Sequence, residues 1–529
     1  MKRRFLLIAT AAVAAATAVY APVSAASLTV STPSECSPIP VEAPAGAEVE
    51  SVTAVSRPAG TFQVPGVPPL GGFPVPDVPA RCEVTVTLTH GGDHARVRVW
   101  LPDTGWNGRF QVAGGSAYAA GDNGAALSTG VKQGYAMATT DAGVGDALDT
   151  SWALKDGRID QTLLTNFADR SQHELALVGK QVIAAVYGKA ASYSYWNGCS
   201  TGGRQGFMEA QRYPNDFDGI LANAPGINWN QFEIATLWPQ VVMNERKTYP
   251  TSCEFGAFNA AALRACDGRD GLRDGLVSGA CDYDPRRLIG KKIVCDGKEV
   301  TITAADAAVV GAIWDGPRTR SGKRLWYGLP VGASFDFLAA SAPDESGAVH
   351  GVPFLVPAAW AATFVKKNPE YDTSKLTYSK FEELFRQART AYDDVIGTRD
   401  ADLSAFRDAG GKLLTWHGTR DQLIPTEGTV DYRRRVERAT GGDVDDFFRL
   451  FLAPGTEHCG LSGGQADDLA ALIAWVEHGR PPATLSATLT TASGERVHRN
   501  LCRYPLVSRS VGQTRGFRCV PAGRMTHPA

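Results

Sequence analysis

Three residues set far apart in this chain have the types and the order needed to cleave an acyl bond. Ser200 lies in residues 195–203, YWNGCSTGG, at the centre of Gly198-x-Ser200-x-Gly202. A serine hydroxyl attacks a carbonyl only when a base takes its proton and donors receive the charge left on oxygen. Between a strand and a helix, this glycine spacing lifts the serine above the sheet edge and aims the N–H of the next residue, Thr201, at the incipient oxyanion. The bare pattern also occurs as a glycine packing turn, so its context decides: YSYW before it reads as a strand and GGRQGFMEAQRY after it as a helix. Such a nucleophile calls for an acid and then a histidine further along the chain. Asp421 sits in WHGTRDQLIP, just past a buried strand, where a carboxylate can fix a histidine's tautomer. The alternative for Asp421 is a turn-capping aspartate. His458 sits in APGTEHCG, on the loop after the next strand, and is the expected base. His417, the rival, lies on the strand end just before the acid and reads as structural.

A cysteine is pressed against each reacting side chain. Cys199 precedes the serine and Cys459 follows the histidine. If Ser200 and His458 stand at hydrogen-bond distance, the neighbouring Cα atoms fall within disulfide reach, and one bridge would tie both catalytic loops together. Two free buried thiols would fit poorly with export. Export is expected because Lys2, Arg3 and Arg4 precede an apolar run from Phe5, and Val23-Ser24-Ala25 offers a cleavage site, so residues 1–25 read as a signal peptide. The chain has 10 cysteines, an even number that suits an oxidising compartment. None forms a CxxC pair or zinc-finger spacing, which disfavours structural zinc.

The elements that must position these residues follow a strand and helix rhythm. CEVTVTLTH and ARVRVW alternate with period two as half-buried strands. RFQVAGGSAY, QGYAMATTDAG, YSYW, DGILANAP, GGKLLTWHG and RLFLAPG read as buried strands. Leu175, Val178, Val182 and Val186 share one helical face, with Gly188 as a stop; Leu469, Leu472, Ile473 and Val476 share another. This predicts an α/β fold, a mostly parallel sheet with helices on both faces. At 529 residues the chain exceeds one growing core, so a second domain or a large insertion is expected. The rhythm fails over residues 228–396, read as an inserted domain between catalytic parts 26–227 and 397–529. Residues 56–80, crowded with Pro and Gly, read as an extended loop, and Cys502 with Cys519 as the staple of a C-terminal excursion.

Composition narrows the partners. A formal net charge of −2 provides no basic footprint for nucleic acid or an anionic membrane, and both are set aside. No stretch after residue 25 approaches the roughly 20 apolar residues of a membrane span, so a soluble mature protein is expected. Oligomeric state leaves no mark.

A second constellation lies in the insert, in CDGRDGLRDGLVSGAC. Asp267, Asp270 and Asp274, with glycines between them, could converge their oxygens on a hard cation such as Ca²⁺, or could be a series of Asp-Gly turns neutralised by Arg269 and Arg273. The residues alone leave both open. Trp326, Phe354 and Trp360 could stack on a substrate ring or be core.

The segments GCSTGGRQG, HGTRDQLIP and PGTEHCG resemble the tannase and feruloyl esterase family of α/β-hydrolases, whose members join the Cys-Ser and His-Cys dipeptides by a disulfide. The resemblance extends over YAMATTDAG, PNDFDGILANAPGINW and DADLSAFRDAGGKLLTWHG. It implies Ser200 as nucleophile with Asp421 and His458, a lid inserted after the serine, and a second oxyanion N–H from the Gly114-Gly115 turn, at Gly115. It implies a structural Ca²⁺ held by Asp267, Asp270 and Asp274 with the carbonyls of Leu272 and Leu276, and no organic cofactor. It implies bridges Cys266–Cys281, Cys36–Cys82 and Cys502–Cys519, which leaves Cys253–Cys295. The implied reaction is hydrolysis of aromatic esters of plant phenolics or sugars, feruloyl esterase first and tannase as the alternative. A serine peptidase on the same triad and a calcium-dependent binding protein on a hydrolase scaffold are the more distant readings.

Overall fold

The period-two stretches open one large sheet. β1 (Glu48–Arg57), β2 (Arg81–Thr89) and β3 (Ala95–Pro102) pair antiparallel in sequence, with Val84, Val86, Leu88, Val97 and Val99 turned inward and buried. The structure is a computed structural model that describes residues 36–66, 71–511 and 516–521; the expected signal peptide lies outside them.

Beyond β3 the sheet becomes parallel. β4 (Arg109–Ser116), β5 (Ala119–Gly121), β6 (Ala136–Thr140), β7 (Tyr193–Cys199), β8 (Gly219–Asn223), β9 (Lys412–Gly418) and β10 (Phe448–Ala453) complete it. The order is β1-β2-β3-β6-β4-β7-β8-β9-β10, with β5 folded back on β4. From β6 to β10 every pairing is parallel. All five residues of β6 and of β8 are buried, as parallel strands covered on both faces require.

Neighbouring residues show that both faces are covered. Ile220 of β8 and Leu413 of β9 lie in one apolar core, and Leu221 and Leu414, one residue on, lie in another. The first core also holds Leu175, Val178, Val182, Ile183 and Val186 of α1 (Ser171–Tyr187), which ends at Gly188 with φ 67°. It includes Phe207 of α2 (Thr201–Arg212) as well. Later helices are α3 (Trp229–Ala235), α4 (Ser252–Cys266), α5 (Leu355–Ala359), α6 (Tyr378–Ile396), α7 (Thr426–Thr440) and α8 (Asp468–His478). Leu472 and Trp475 of α8 fill the second core.

β8 and β9 are adjacent in the sheet, yet residues 224–411 run between them. This stretch carries α3 to α6 and builds a third core in which Trp326, Trp360 and Phe364 pack with Tyr118 and Phe167. All five expected disulfides form: Cys36–Cys82, Cys199–Cys459, Cys253–Cys295, Cys266–Cys281 and Cys502–Cys519. No helix among the described residues is long and apolar enough to cross a membrane.

The Pro-rich region departs from expectation. Within it, Gly60–Val64 and Phe73–Val78 form a two-stranded hairpin rather than an extended loop. Each strand of a lone pair has one unpaired edge, where a proline forfeits no ladder bond.

Candidate active site

β7 ends at Cys199 and α2 begins at Thr201, so Ser200 alone makes the turn between them, at φ 62° and ψ −122°. A non-glycine residue keeps such a conformation only where its surroundings over-determine it. Here the Ser200 N–H donates to Asn223 O at 3.1 Å, and Ser200 O accepts from Gly226 N–H at 3.2 Å and Arg204 N–H at 2.9 Å. Close backbone approach explains the glycines. A Cβ on Gly198 would stand 2.4 Å from the Gly202 carbonyl carbon, and one on Gly203 2.4 Å from Asn223 O. As the first residue of α2, Thr201 has an N–H with no acceptor inside the helix, at the helix's positive end. Its Oγ1 donates to Ala117 O at 2.8 Å, which ties the turn after β4 to the serine.

The second oxyanion donor that the resemblance implies, the Gly115 N–H, has a partner within the fold. The Gly115 N–H donates to the buried Gln205 Oε1 at 2.9 Å, and Gln205 Nε2 donates to Ala120 O at 2.8 Å. Gln205 thus braces the β4–β5 hairpin with the very amide the resemblance assigned to the oxyanion.

Asp421 and His458 are brought together although 37 residues separate them. His458 Nδ1 lies 2.7 Å from Asp421 Oδ2, and the His458 N–H donates to Gln422 Oε1 at 3.0 Å. The Leu423 and Ile424 N–H groups both donate to Asp421 Oδ1 at 2.8 Å. Burial works against the charge on Asp421, but the imidazole of His458 and hydrogen bonds from His417 and His458 hold its carboxyl well below the usual carboxylate range. With Nδ1 engaged by the acid, His458 has only Nε2 left for a reacting group. His417 cannot compete: it is wholly buried, with Nδ1 2.9 Å from Thr429 Oγ1 and Nε2 2.9 Å from Asp421 Oδ2.

The bridge completes the assembly. Cys199 and Cys459 are joined with their Cα atoms 6.0 Å apart, which places the residues flanking Ser200 and His458 side by side. A network behind the turn had no sequence signal. Asp468 Oδ2 accepts from Asn223 Nδ2 and from Trp416 Nε1, both at 2.7 Å, while the Trp416 N–H donates to Asn223 Oδ1 at 3.0 Å. Asn223 and Asp468 are distant polar residues in unremarkable contexts, so only the fold reveals that they fix the carbonyl holding Ser200.

The aspartate loop is bracketed by Cys266–Cys281. Asp267 Oδ1 accepts from the Asp274 and Gly275 N–H groups at 3.2 Å, Asp270 Oδ1 from Leu272 N–H at 3.1 Å, and Asp274 Oδ1 from Leu276 N–H at 3.0 Å. Asp270 Oδ2 accepts from Ser278 Oγ at 3.0 Å, and Asp274 Oδ2 pairs with Arg499. The all-oxygen donor set suits a hard cation, but in this arrangement Arg499 takes up Asp274, and among the described residues no three acidic, His or Cys side chains converge on a metal position. Trp360 is fully buried, stacked on Phe364 at 4.3 Å, and Trp326 is also buried, so both are core; Phe354 is half-buried. Two clefts of about 620 and 880 Å³ lie in the stretch 224–411, and neither is lined by Ser200, Asp421 or His458.

Known proteins resemble this chain in sequence and in fold. The family model described as tannase and feruloyl esterase matches residues 82–516. A probable feruloyl esterase of Arthroderma benhamiae is 46% identical over 507 residues, covering 92% of this chain and 93% of that relative. Among solved structures, tannin acyl hydrolase from Aspergillus niger superposes with a TM-score of 0.81 at 27% identity, covering 92% of this chain and 93% of the other. Feruloyl esterase B from Aspergillus oryzae gives 0.76 at 25%, covering 91% and 98%. The chain belongs to the tannase and feruloyl esterase family and is a carboxylic ester hydrolase.

Proposed function

We propose that this chain is an exported serine esterase that hydrolyses esters of hydroxylated aromatic acids, feruloyl esters first among them. Ser200 Oγ attacks the ester carbonyl while His458 Nε2 takes its proton, and the Thr201 N–H receives the negative charge that develops on the carbonyl oxygen. The tetrahedral adduct collapses as His458 returns that proton to the leaving alkoxide, and an acyl-Ser200 remains. Water then attacks the acyl carbonyl, giving its proton to His458, and the second collapse returns that proton to Ser200 and frees the acid. Asp421 steadies the imidazolium in both halves without itself taking the proton.

One observation carries this reading: the Cys199–Cys459 bridge sets the two loops together while His458 Nδ1 is bound by Asp421. The acyl preference rests on the relative at 46% identity, a probable feruloyl esterase. Galloyl esters are the second reading, favoured by the TM-score of 0.81 to a tannin acyl hydrolase. Methyl ferulate, methyl gallate and a peptide anilide assayed side by side decide the matter. Ferulate turnover that falls about 10⁴-fold or more in Ser200→Ala is expected. Faster gallate turnover moves the assignment to tannase, anilide cleavage to a peptidase, and no turnover to a binding protein.

Export and calcium belong to the same proposal. Five disulfides fit an oxidising compartment. Asp267, Asp270, Asp274 and the carbonyls of Leu272 and Leu276 would hold Ca²⁺ as a structural ion, with Arg499 yielding Asp274 Oδ2. A Tm that rises with Ca²⁺ in the wild type and not in Asp270→Asn supports this; a Tm indifferent to Ca²⁺ and to chelator removes it.

A further inference from the structure

The catalytic acid faces two imidazoles, and the triad uses only one. Asp421 is fully buried with four hydrogen-bonding groups around it: the Leu423 and Ile424 N–H groups on Oδ1, each at 2.8 Å, and His458 Nδ1 at 2.7 Å and His417 Nε2 at 2.9 Å on Oδ2. The two backbone N–H groups can only donate, and the imidazoles with their hydrogen bonds hold the carboxyl well below the usual carboxylate range. Asp421 is therefore a carboxylate, and each ring nitrogen that faces it donates.

The protonation of His417 follows from its other side. Its Nδ1 faces Thr429 Oγ1 at 2.9 Å, and the ring is wholly enclosed. A hydroxyl that donates to a bare Nδ1 leaves the ring proton on Nε2, where Asp421 accepts it. The doubly protonated alternative would set two imidazolium ions on one buried carboxylate whenever His458 takes the serine's proton, and would leave a positive charge uncompensated. Arg420, the charged neighbour in sequence, has its Nε engaged by Gly332 O at 2.7 Å.

We infer that His417 is a positioning residue for the acid. Neutral, protonated on Nε2 and pinned by Thr429, it occupies one lone-pair direction of Asp421 Oδ2 and leaves the other to His458. The carboxylate cannot rotate, and part of its basicity is absorbed by the His417 donor. Loss of that donor has two consequences. The carboxylate becomes the stronger partner of a protonated His458, so the base stays protonated to higher pH. The imidazole also loses the fixed orientation that Asp421 gives it. This rests on the assignment of Asp421 and His458 as acid and base.

The test uses the full-length, disulfide-bonded enzyme with methyl ferulate, measuring kcat, KM and the acid limb of the kcat/KM profile. In His417→Leu, kcat is expected to fall about 10- to 100-fold, the rate equivalent of one hydrogen bond to a charged group, with KM little changed and the acid limb displaced to higher pH. His417→Gln, whose amide nitrogen reaches the place of ring Nε2, is expected to recover most of kcat and return the limb. Thr429→Val, which frees the tautomer, is expected to move the limb in the same direction as His417→Leu. The inference is overturned if folded His417→Leu keeps the wild-type kcat and limb, or if His417→Gln is as impaired as His417→Leu, which would mean that the ring only fills space. Should His417→Leu not fold, an unmoved limb in Thr429→Val overturns it equally. Failure of the triad itself shows separately, as turnover surviving in His458→Ala.

Discussion

Cutting the Cys199–Cys459 bridge with a double alanine variant should damage stability and catalysis by separate routes. The bridge closes a loop of 260 residues. On the chain-entropy account a loop of this length stabilises the fold by roughly 5 to 6 kcal/mol, a large share of the 5–15 kcal/mol that holds a typical domain together. The catalytic loss has another origin. His458 is still held by Asp421 and Gln422, but Ser200 keeps only its own backbone contacts on the far side of the cut. A displacement of about 1 Å between nucleophile and base costs about a hundredfold in rate. The control is Cys266→Ala/Cys281→Ala, which opens a bridge of separation 15 between residues outside the triad and should cost about 3 kcal/mol with kcat unchanged. Denaturant unfolding gives the stabilities, and kcat and KM on methyl ferulate well below each Tm give the rates. If Cys199→Ala/Cys459→Ala loses stability but keeps kcat within about twofold, the bridge is a staple only, and the positional argument, worth about a hundredfold, is refuted.

Other perturbations probe the same scaffold. Glu233 is fully buried, its Oε2 has no hydrogen-bond partner, and burial pushes its carboxyl up from 4.5 to about 8. Between those values the folded state keeps a proton that the unfolded state has released, so stability falls as pH rises, by about 1.4 kcal/mol per pH unit and on the order of 5 kcal/mol in all. Glu233→Gln should match wild type near the bottom of that window and exceed it at the top in denaturant melts; parallel pH curves would contradict this. Gly203→Ala places a Cβ 2.4 Å from Asn223 O, the acceptor of the Ser200 N–H, and should lower Tm and kcat together, at about 1–3 kcal/mol of stability. An unchanged kcat would show that β8 can shift without disturbing the serine. Asp468→Ala strands two buried donors, Asn223 Nδ2 and Trp416 Nε1, and should cost about 2–5 kcal/mol; a melt within 1 kcal/mol of wild type would mean that water replaces the carboxylate.

The candidate catalytic residues were legible because the signals that mark them are local. A serine between glycines, a strand before it and a helix after it are short-range features, and the order of acid and base along the chain follows from the strands that carry them. Strand period and helix face were equally readable. What escaped was whatever depends on partners far off in sequence. Gly115 looked free because nothing near it in the chain announces Gln205, 90 residues later. His417 looked merely structural because its spacing from Asp421 does not say which ring nitrogen faces the carboxylate. The Pro-rich stretch looked like loop because proline bars a strand only where both edges are paired.

The sequence by itself determined the class of sheet, the candidate nucleophile, acid and base, and the cysteines that flank them, since all of these are written in residue type, period and order. Only tertiary structure decided how the polar groups are shared. It gave the Gly115 amide to Gln205, Asp421 to two imidazoles, Asn223 to Asp468 and Asp274 to Arg499. The physical reason is that a buried donor or acceptor must find a partner wherever packing places one, and packing, unlike period, joins residues without regard to their distance along the chain.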